Sequence, residues 1–423
     1  MTEVSINGVP HKPVRDSSAD GISPERLRTI VQDSHLNFLI GAGTPSAFFG
    51  LLGNVEDALT QVFESTASDD VKAVVRASIQ AYFFDSVLTP NVKVVDRHAD
   101  AEAVLTSYAR FLRTINRILL KRHSSILAKQ ANIFTTNVDM VFEVAFEQMG
   151  IDFSDGFSGK IRPRFDLNDF NTIRLRMASR FEQRSEVPVF NLVKIHGSAG
   201  WLQEWRSPER TEILFDHGLS IVAEVQTALD AARGDLIAVN HAHEVDGAAL
   251  IAKAPTGAVP AAVAAFAESY NKLGIVNPDK QKFATTVLNE TYYELIRAFA
   301  NELEKENSVL FVHGFSFRDE HLRDVVVRAA RSNPTLQVIV FCYSRGGLGE
   351  YQKLIPETDV KNSNILFVVP PEPEDGGTEI KASLDVVTRA HFAPVIADKF
   401  PSPDQRIELD IRLPSEEGTD VRG

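Results

Sequence analysis

Cysteine occurs once in these 423 residues, at Cys342, and that scarcity removes whole classes of protein at the outset. One thiol can form no internal disulfide framework and no Cys-x-x-Cys zinc ribbon. Long apolar runs are absent, and Met1 to Asp20 is polar rather than charged-then-apolar, so neither a spanning helix nor a secretory signal is expected. A cytoplasmic protein is the resulting expectation. An excess of basic charge is also lacking: 44 Lys and Arg against 57 Asp and Glu leave a formal net charge of -13. That sign argues against nonspecific nucleic-acid binding by the chain as a whole. The G-x-G-x-x-G fingerprint fails as well, because Ser46 stands where its third glycine belongs, and no acidic residue ends an obvious second strand about 20 residues on. A hydride-transfer dehydrogenase is therefore disfavoured.

What is present describes a globular chain. A hydrophobic content of 44% with 24% charged residues suffices for a sizeable core. Cys342 ends the apolar run Val338-Ile339-Val340-Phe341 and reads as a small core hydrophobe. Residues 1–22 read as a flexible leader, and Ser23-Pro24-Glu25-Arg26 has a serine N-cap and a proline at the first helical position. Leu36 to Ile40 reads as a buried strand. Apolar steps of three and four through Val75, Ile79, Phe83, Leu105, Phe111, Leu112, Ile115 and Leu119 predict covering helices between Asp69 and Lys129. Further strands are expected at Asn132–Thr135, Val187–Ile195, Ser308–His313, Leu336–Tyr343 and Asn364–Val369, with helices near Met140–Met149, Leu288–Lys305 and up to Ala330. Strand, turn and helix alternate, which predicts an α/β fold: a Rossmann-like doubly wound parallel sheet with helical elaborations and a C-terminal extension. The expected division is a core domain over 23–345, an inserted subdomain over about 199–277, and a C-terminal region, 346–423, for oligomerisation or partner contact.

Three polar clusters follow apolar runs directly: Gly41-Ala42-Gly43, Thr135-Thr136-Asn137-Val138-Asp139 and His196-Gly197-Ser198. In open α/β sheets, ligands lie outside the carboxyl ends of the strands, so such clusters are where a nucleotide site would be built. The glycine turn offers unobstructed backbone N–H groups to a phosphate near a helix N-terminus, or it serves chain geometry alone. Asn137 and Asp139 either face a ligand together or cap the helix that begins near Met140. His196 is either exposed in a cleft or a satisfied core histidine. His241-Ala242-His243 with Glu244 has too few ligands for a metal site and reads as a solvated loop.

These runs, with Gly314-Phe315-Ser316-Phe317-Arg318-Asp319, occur in the order and spacing of the sirtuin-like NAD-binding domain. They look most like its bacterial branch, the antiphage NAD hydrolases, whose second motif typically reads Phe-Thr-Thr-Asn-Tyr-Asp and whose fourth reads Gly-Tyr-Ser-Phe-x-Asp. The resemblance spans residues 30–345. It implies NAD as substrate, with Gly41, Ala42, Gly43 and Ser46 near the pyrophosphate, Thr135, Asn137 and Asp139 toward the nicotinamide ribose, and Thr136 also among the NAD-binding residues. It implies His196 as the catalytic histidine, Asn137 as the residue that holds a water, and Gly314 and Ser316 on the adenosine side. Asp319 is expected to cap the helix behind it.

Two departures separate the chain from deacylating sirtuins. After the first motif it reads Ala47-Phe48-Phe49-Gly50-Leu51, without their Gly-Ile-Pro-Asp-Phe-Arg segment, and it lacks their four-cysteine zinc module. The resemblance thus implies hydrolysis of NAD to nicotinamide and ADP-ribose, with no zinc, in an antiphage (abortive infection) system. It further implies a homo-oligomer partnered by a HerA-type ATPase. The alternatives are a subunit that binds NAD or ADP-ribose without turnover, and, least favoured, a protein deacylase.

Overall fold

The computed structural model describes residues 22–397 apart from 52–53, 124–125, 171, 179, 181–183, 208–209, 240–244, 277–289 and 374–378. The leader through residue 21 and the His241–Glu244 run lie outside the described residues. Ser23 caps the first helix, Pro24–Asp33, by accepting from Arg26 N, with Pro24 in the first turn.

Seven short strands form the central parallel sheet: β1 (His35–Ile40), β2 (Gln130–Thr135), β3 (Phe153–Ser154), β4 (Val189–Lys194), β5 (Ser308–His313), β6 (Gln337–Phe341) and β7 (Ile365–Val368). Their spatial order is β7-β6-β5-β1-β2-β4-β3. The chain therefore winds outward from β1 on one side through β2, then returns through β5 on the other, and the strand order reverses between β1 and β5. This is a doubly wound, Rossmann-like α/β fold.

Alternation within each strand divides the core. Leu36, Phe38 and Ile40 of β1 with Val309 and Phe311 of β5 pack on one face. That face is covered by helices Pro24–Asp33, Glu102–Leu120 and Val141–Met149 and by the helical segment Leu384–Ile396. Leu39, Leu310 and Val312 point to the opposite face, under helices Glu290–Glu304 and Glu320–Ser332. With both faces covered, the strands read as near-continuous apolar runs.

Near the amino ends of three strands the core is polar. Asn37, Asn132 and Asn191 stand opposite one another on β1, β2 and β4. Asn132 Nδ2 donates to Asn37 Oδ1 at 2.8 Å and to Glu302 Oε2 at 3.1 Å, and Asn191 Nδ2 donates to Asn132 Oδ1 at 2.7 Å. A slip by one residue would send these amides to the wrong face, so the ladder pins the register.

Segments within the expected insertion and C-terminal region pack on the sheets and cores. The long strand Gly197–Ser207 pairs with Arg210–Phe215 and Leu273–Ile275 in an antiparallel sheet that also takes in Arg164–Phe165 and Phe157–Ser158. Helices Ser220–Ala232 and Ala261–Tyr270 bury Val222, Val225, Val263 and Phe266 in the first core. Beyond residue 345, β7 pairs with β6, and Phe392 packs on Phe38 and Phe311 with ring centroids 5.9 and 5.1 Å away. β7 is the strand expected at Asn364–Val369, and it completes one edge of the sheet.

Replacing Asn132 by Leu should destabilise the fold by about 2–4 kcal/mol, because Asn37 Oδ1, Asn191 Nδ2 and Glu302 lose their shared partner. Urea denaturation of the variant checks this, and unchanged stability would refute the register role.

Candidate functional site

His313, Ile40, Thr135 and Lys194 form one row across β5, β1, β2 and β4. Each of the four polar runs leaves the sheet at or just beyond this row. They emerge from four adjacent parallel strands, at the same level, around the point where strand order reverses.

The glycines at that point are explained by a close approach of two loops. Gly41 N donates to His313 O at 3.0 Å and Gly43 N to Gly314 O at 2.8 Å. A Cβ on Gly41 would lie 2.5 Å from Gly314 O, and one on Gly314, whose φ is +66°, would lie 2.3 Å from Thr44 Oγ1. The two N–H groups that the sequence offers to a phosphate are thus engaged by protein carbonyls, and Ala42 is the exposed residue of the turn. Ser46 Oγ donates to Gly43 O at 2.9 Å and opens a helix of four residues, Ser46–Phe49, which ends at Gly50. So short a helix sums few peptide dipoles, so the expected helix-terminus contribution to anion binding is small.

At the end of β2 most of the polar side chains serve the framework. Thr135 is fully buried, its Oγ1 donating to Ile40 O at 2.8 Å and accepting from Asn137 N at 3.1 Å. Thr136, half-buried, donates its N–H to Ile40 O at 3.3 Å. Asn137 Nδ2 donates to Gly41 O at 3.2 Å, tying β2 to the glycine turn, while its buried Oδ1 has no hydrogen-bond partner among the described residues. Asp139 is buried and accepts from Val141 N at 3.0 Å, a capping contact to helix Val141–Met149.

Behind this end lies a buried ionic cluster. Lys194 Nζ is 3.0 Å from Glu143 Oε1 and also donates to Asp139 O. Ser198 Oγ lies 3.4 Å from the same Glu143 oxygen. Burial holds the Asp139 and Glu143 carboxyls above the usual range, and Lys194 partly offsets it. Among the described residues Glu143 Oε2 is buried here without a hydrogen-bond partner. The warning in the sequence is a glutamate inside Val141-Phe142-Glu143-Val144-Ala145-Phe146 and a lysine ending a buried strand: charges that must be paired if the pattern is right. Asp155, whose carboxyl is pushed up to about 6 chiefly by burial, carries no such signal in the sequence.

His196 follows β4 and immediately precedes the long strand Gly197–Ser207. Its carbonyl accepts from Val276 N at 2.9 Å, and Gly197, with φ +79°, approaches Gly274 too closely for any Cβ. The ring is partly exposed, and Nε2 lies 3.4 Å from Asp319 Oδ2. Asp319 also caps helix Glu320–Ser332 through Oδ1, 3.4 Å from Leu322 N, as its sequence position implied. Its contact with His196 was not legible, since 122 intervening residues carry no sign of it. Gly314 is half-buried and Ser316 exposed on the loop between β5 and this helix.

Asn137 and His196 thus stand at the ends of adjacent strands, one offering an unpartnered amide oxygen, the other an imidazole. Cys342 is buried, and burial pushes its thiol up to about 11, which suits a core hydrophobe and not a nucleophile. Among the described residues no group of three metal-ligating side chains is assembled. In comparisons with known proteins, no family model and no curated protein matches the chain.

His313 ties the site's loops to the C-terminal segment. Nδ1 lies 2.8 Å from Thr44 Oγ1 and Nε2 2.9 Å from Ala382 O, which makes Nε2 the protonated nitrogen of a neutral ring. Burial lowers its pKa to about 4, against about 6.5 in the unfolded chain. Between those values the unfolded chain binds the extra proton. The stability that a neutral His313 confers is therefore complete above about pH 6.5 and is lost as pH falls toward 4, by up to about 3 kcal/mol. Urea denaturation at pH 7.5 and pH 5 should show a shallower pH dependence for His313→Gln than for the wild type. Equal slopes would remove His313 as the source.

Proposed function

We propose that the chain is an NAD glycohydrolase that cleaves NAD to nicotinamide and ADP-ribose. The observation that carries this reading is the row His313–Ile40–Thr135–Lys194, which gathers the four motifs of the sirtuin-like resemblance at one reversal of strand order. Nicotinamide leaves from a cationic pyridinium, so the leaving group needs no general acid. The enzyme must stabilise an oxocarbenium-like ribose and direct an acceptor. In this reading Asn137 Oδ1 accepts a hydrogen bond from water and His196 takes its proton. The water oxygen bonds to the ribose carbon as the N-glycosidic bond breaks, its electron pair passing to the nicotinamide nitrogen. The lone Cys342 supplies no zinc module, which favours water over an acyl-lysine as acceptor.

The resemblance extends the proposal to a cytoplasmic effector of antiphage defence, homo-oligomeric and partnered by a HerA-type ATPase. A second reading, binding of NAD or ADP-ribose without turnover, is favoured by one observation: Thr135 and Asp139 are engaged with backbone groups, and the Asn137 amide already holds Gly41 O.

The test is to incubate the purified chain with NAD, alone and with its activating partner, and to quantify nicotinamide and ADP-ribose. Asn137→Ala and His196→Ala should each lower turnover by about 100-fold or more while the protein stays folded. Full activity in either variant would refute the assigned role. Calorimetric binding of NAD with no loss over hours would favour the sensor, and acyl-ADP-ribose from an acyl-lysine peptide would point to deacylation.

A further inference from the structure

The contact between His196 and Asp319 joins distant parts of the sheet. His196 follows β4 and Asp319 lies beyond β5, three strand positions away, a separation of about 14 Å at ordinary strand spacing. The loops carrying them must reach over the ends of β1 and β2, where the glycine turn and Asn137 lie, to bring Nε2 within 3.4 Å of Oδ2.

Several features hold Asp319 in that place. Its second oxygen caps helix Glu320–Ser332, which fixes the carboxylate against a thirteen-residue helix. Two residues earlier, Phe317 takes φ +58°, a left-handed conformation that a bulky side chain rarely adopts. Phe317 is nonetheless fully buried, its ring 5.0 Å from Phe315 and 6.0 Å from Tyr351, and its carbonyl accepts from Arg323 Nη1 at 3.3 Å. Packing and a hydrogen bond therefore hold a turn that backbone preference opposes. Such strain persists only where the surroundings over-determine it. Here it turns the chain so that Asp319 faces back toward the strand ends.

We propose that Asp319 is a positioning residue that keeps neutral His196 protonated at Nε2, leaving Nδ1 as the nitrogen that accepts a proton from water. A carboxylate can only accept, so the ring nitrogen facing it must carry hydrogen. The same contact orients the ring, since Asp319 is anchored through its other oxygen. The mechanistic part rests on the NAD-hydrolase reading, whereas the protonation of the ring does not.

The experiment separates the two. The full chain is labelled with ring-15N histidine, the His196 signals are assigned by their absence in His196→Gln, and D319N is compared with the wild type. Asparagine caps a helix as well as aspartate does, so D319N keeps the fold, and circular dichroism checks it. In the wild type the neutral His196 ring should show a protonated Nε2 and a bare Nδ1. In D319N, where the facing group can also donate, the signals should shift toward the other tautomer. If NAD is cleaved, D319N should lower kcat about 100-fold and leave KM within about 3-fold. A wild-type ring protonated at Nδ1, or one unchanged in D319N, overturns the proposal whether or not NAD turns over. Correct ring signals without any NAD cleavage would uphold the pairing and count against the hydrolase alone.

Discussion

The close approach of the Gly41–Thr44 turn to Gly314 is the constraint on which the candidate site depends. Where strand order reverses, the chain must leave β1 and β5 at the same level and diverge, and two loops compete for one space. Glycine at 41, 43 and 314 lets carbonyl and amide meet directly, which locks the adjoining ends of the two halves of the sheet. Asn137 then fastens β2 to the same turn through Gly41 O, and His313 fastens the C-terminal segment to it through Thr44. These contacts tie the ends of β1, β2 and β5 to one another.

A second feature works against stability. Asp139, Glu143 and Lys194 sit in the core, the one cation paired with the Glu143 carboxylate and bonded to the Asp139 carbonyl, and burial raises both acids. Well-packed hydrophobic residues would hold such a place as firmly or more so, and removing one partner strands the others. The cluster lies directly behind Asn137 and the start of the His196 segment, so the polarity retained there sets the electrostatic background of the strand ends.

The sheet was legible because its strands are buried on both faces and its helices keep a clean apolar period. The run Leu36–Ile40 and the stepped residues from Leu105 to Leu119 needed no tertiary information. The asparagine ladder was not legible, since Asn37, Asn132 and Asn191 interrupt apolar runs without announcing that they face one another. Helix caps at Ser23 and Asp319 followed from local chemistry, and the positions of Asn137 and His196 at strand ends from pattern. The engagement of the Gly41 and Gly43 amides did not, because the partner loop lies some 270 residues away, at Gly314. Nor did the His196–Asp319 contact, whose geometry is set by sheet order. The packing of Leu384–Ile396 on the core escaped for a different reason: a short segment completes a surface that other parts of the chain create.

The pairing of β1 with β5 also orders events in time. The central strand is made within the first 40 residues, yet its neighbour arrives only with Ser308–His313, and the imidazole of His313 finds its carbonyl at Ala382 later still. Contacts of such long sequence separation form slowly and late. On a ribosome the half-sheet of β1, β2 and β4 waits with one edge open, and the four strand ends cannot stand in a row until most of the chain has emerged. The row of strand ends is thereby completed only when β5 has been made, and topology alone imposes that order.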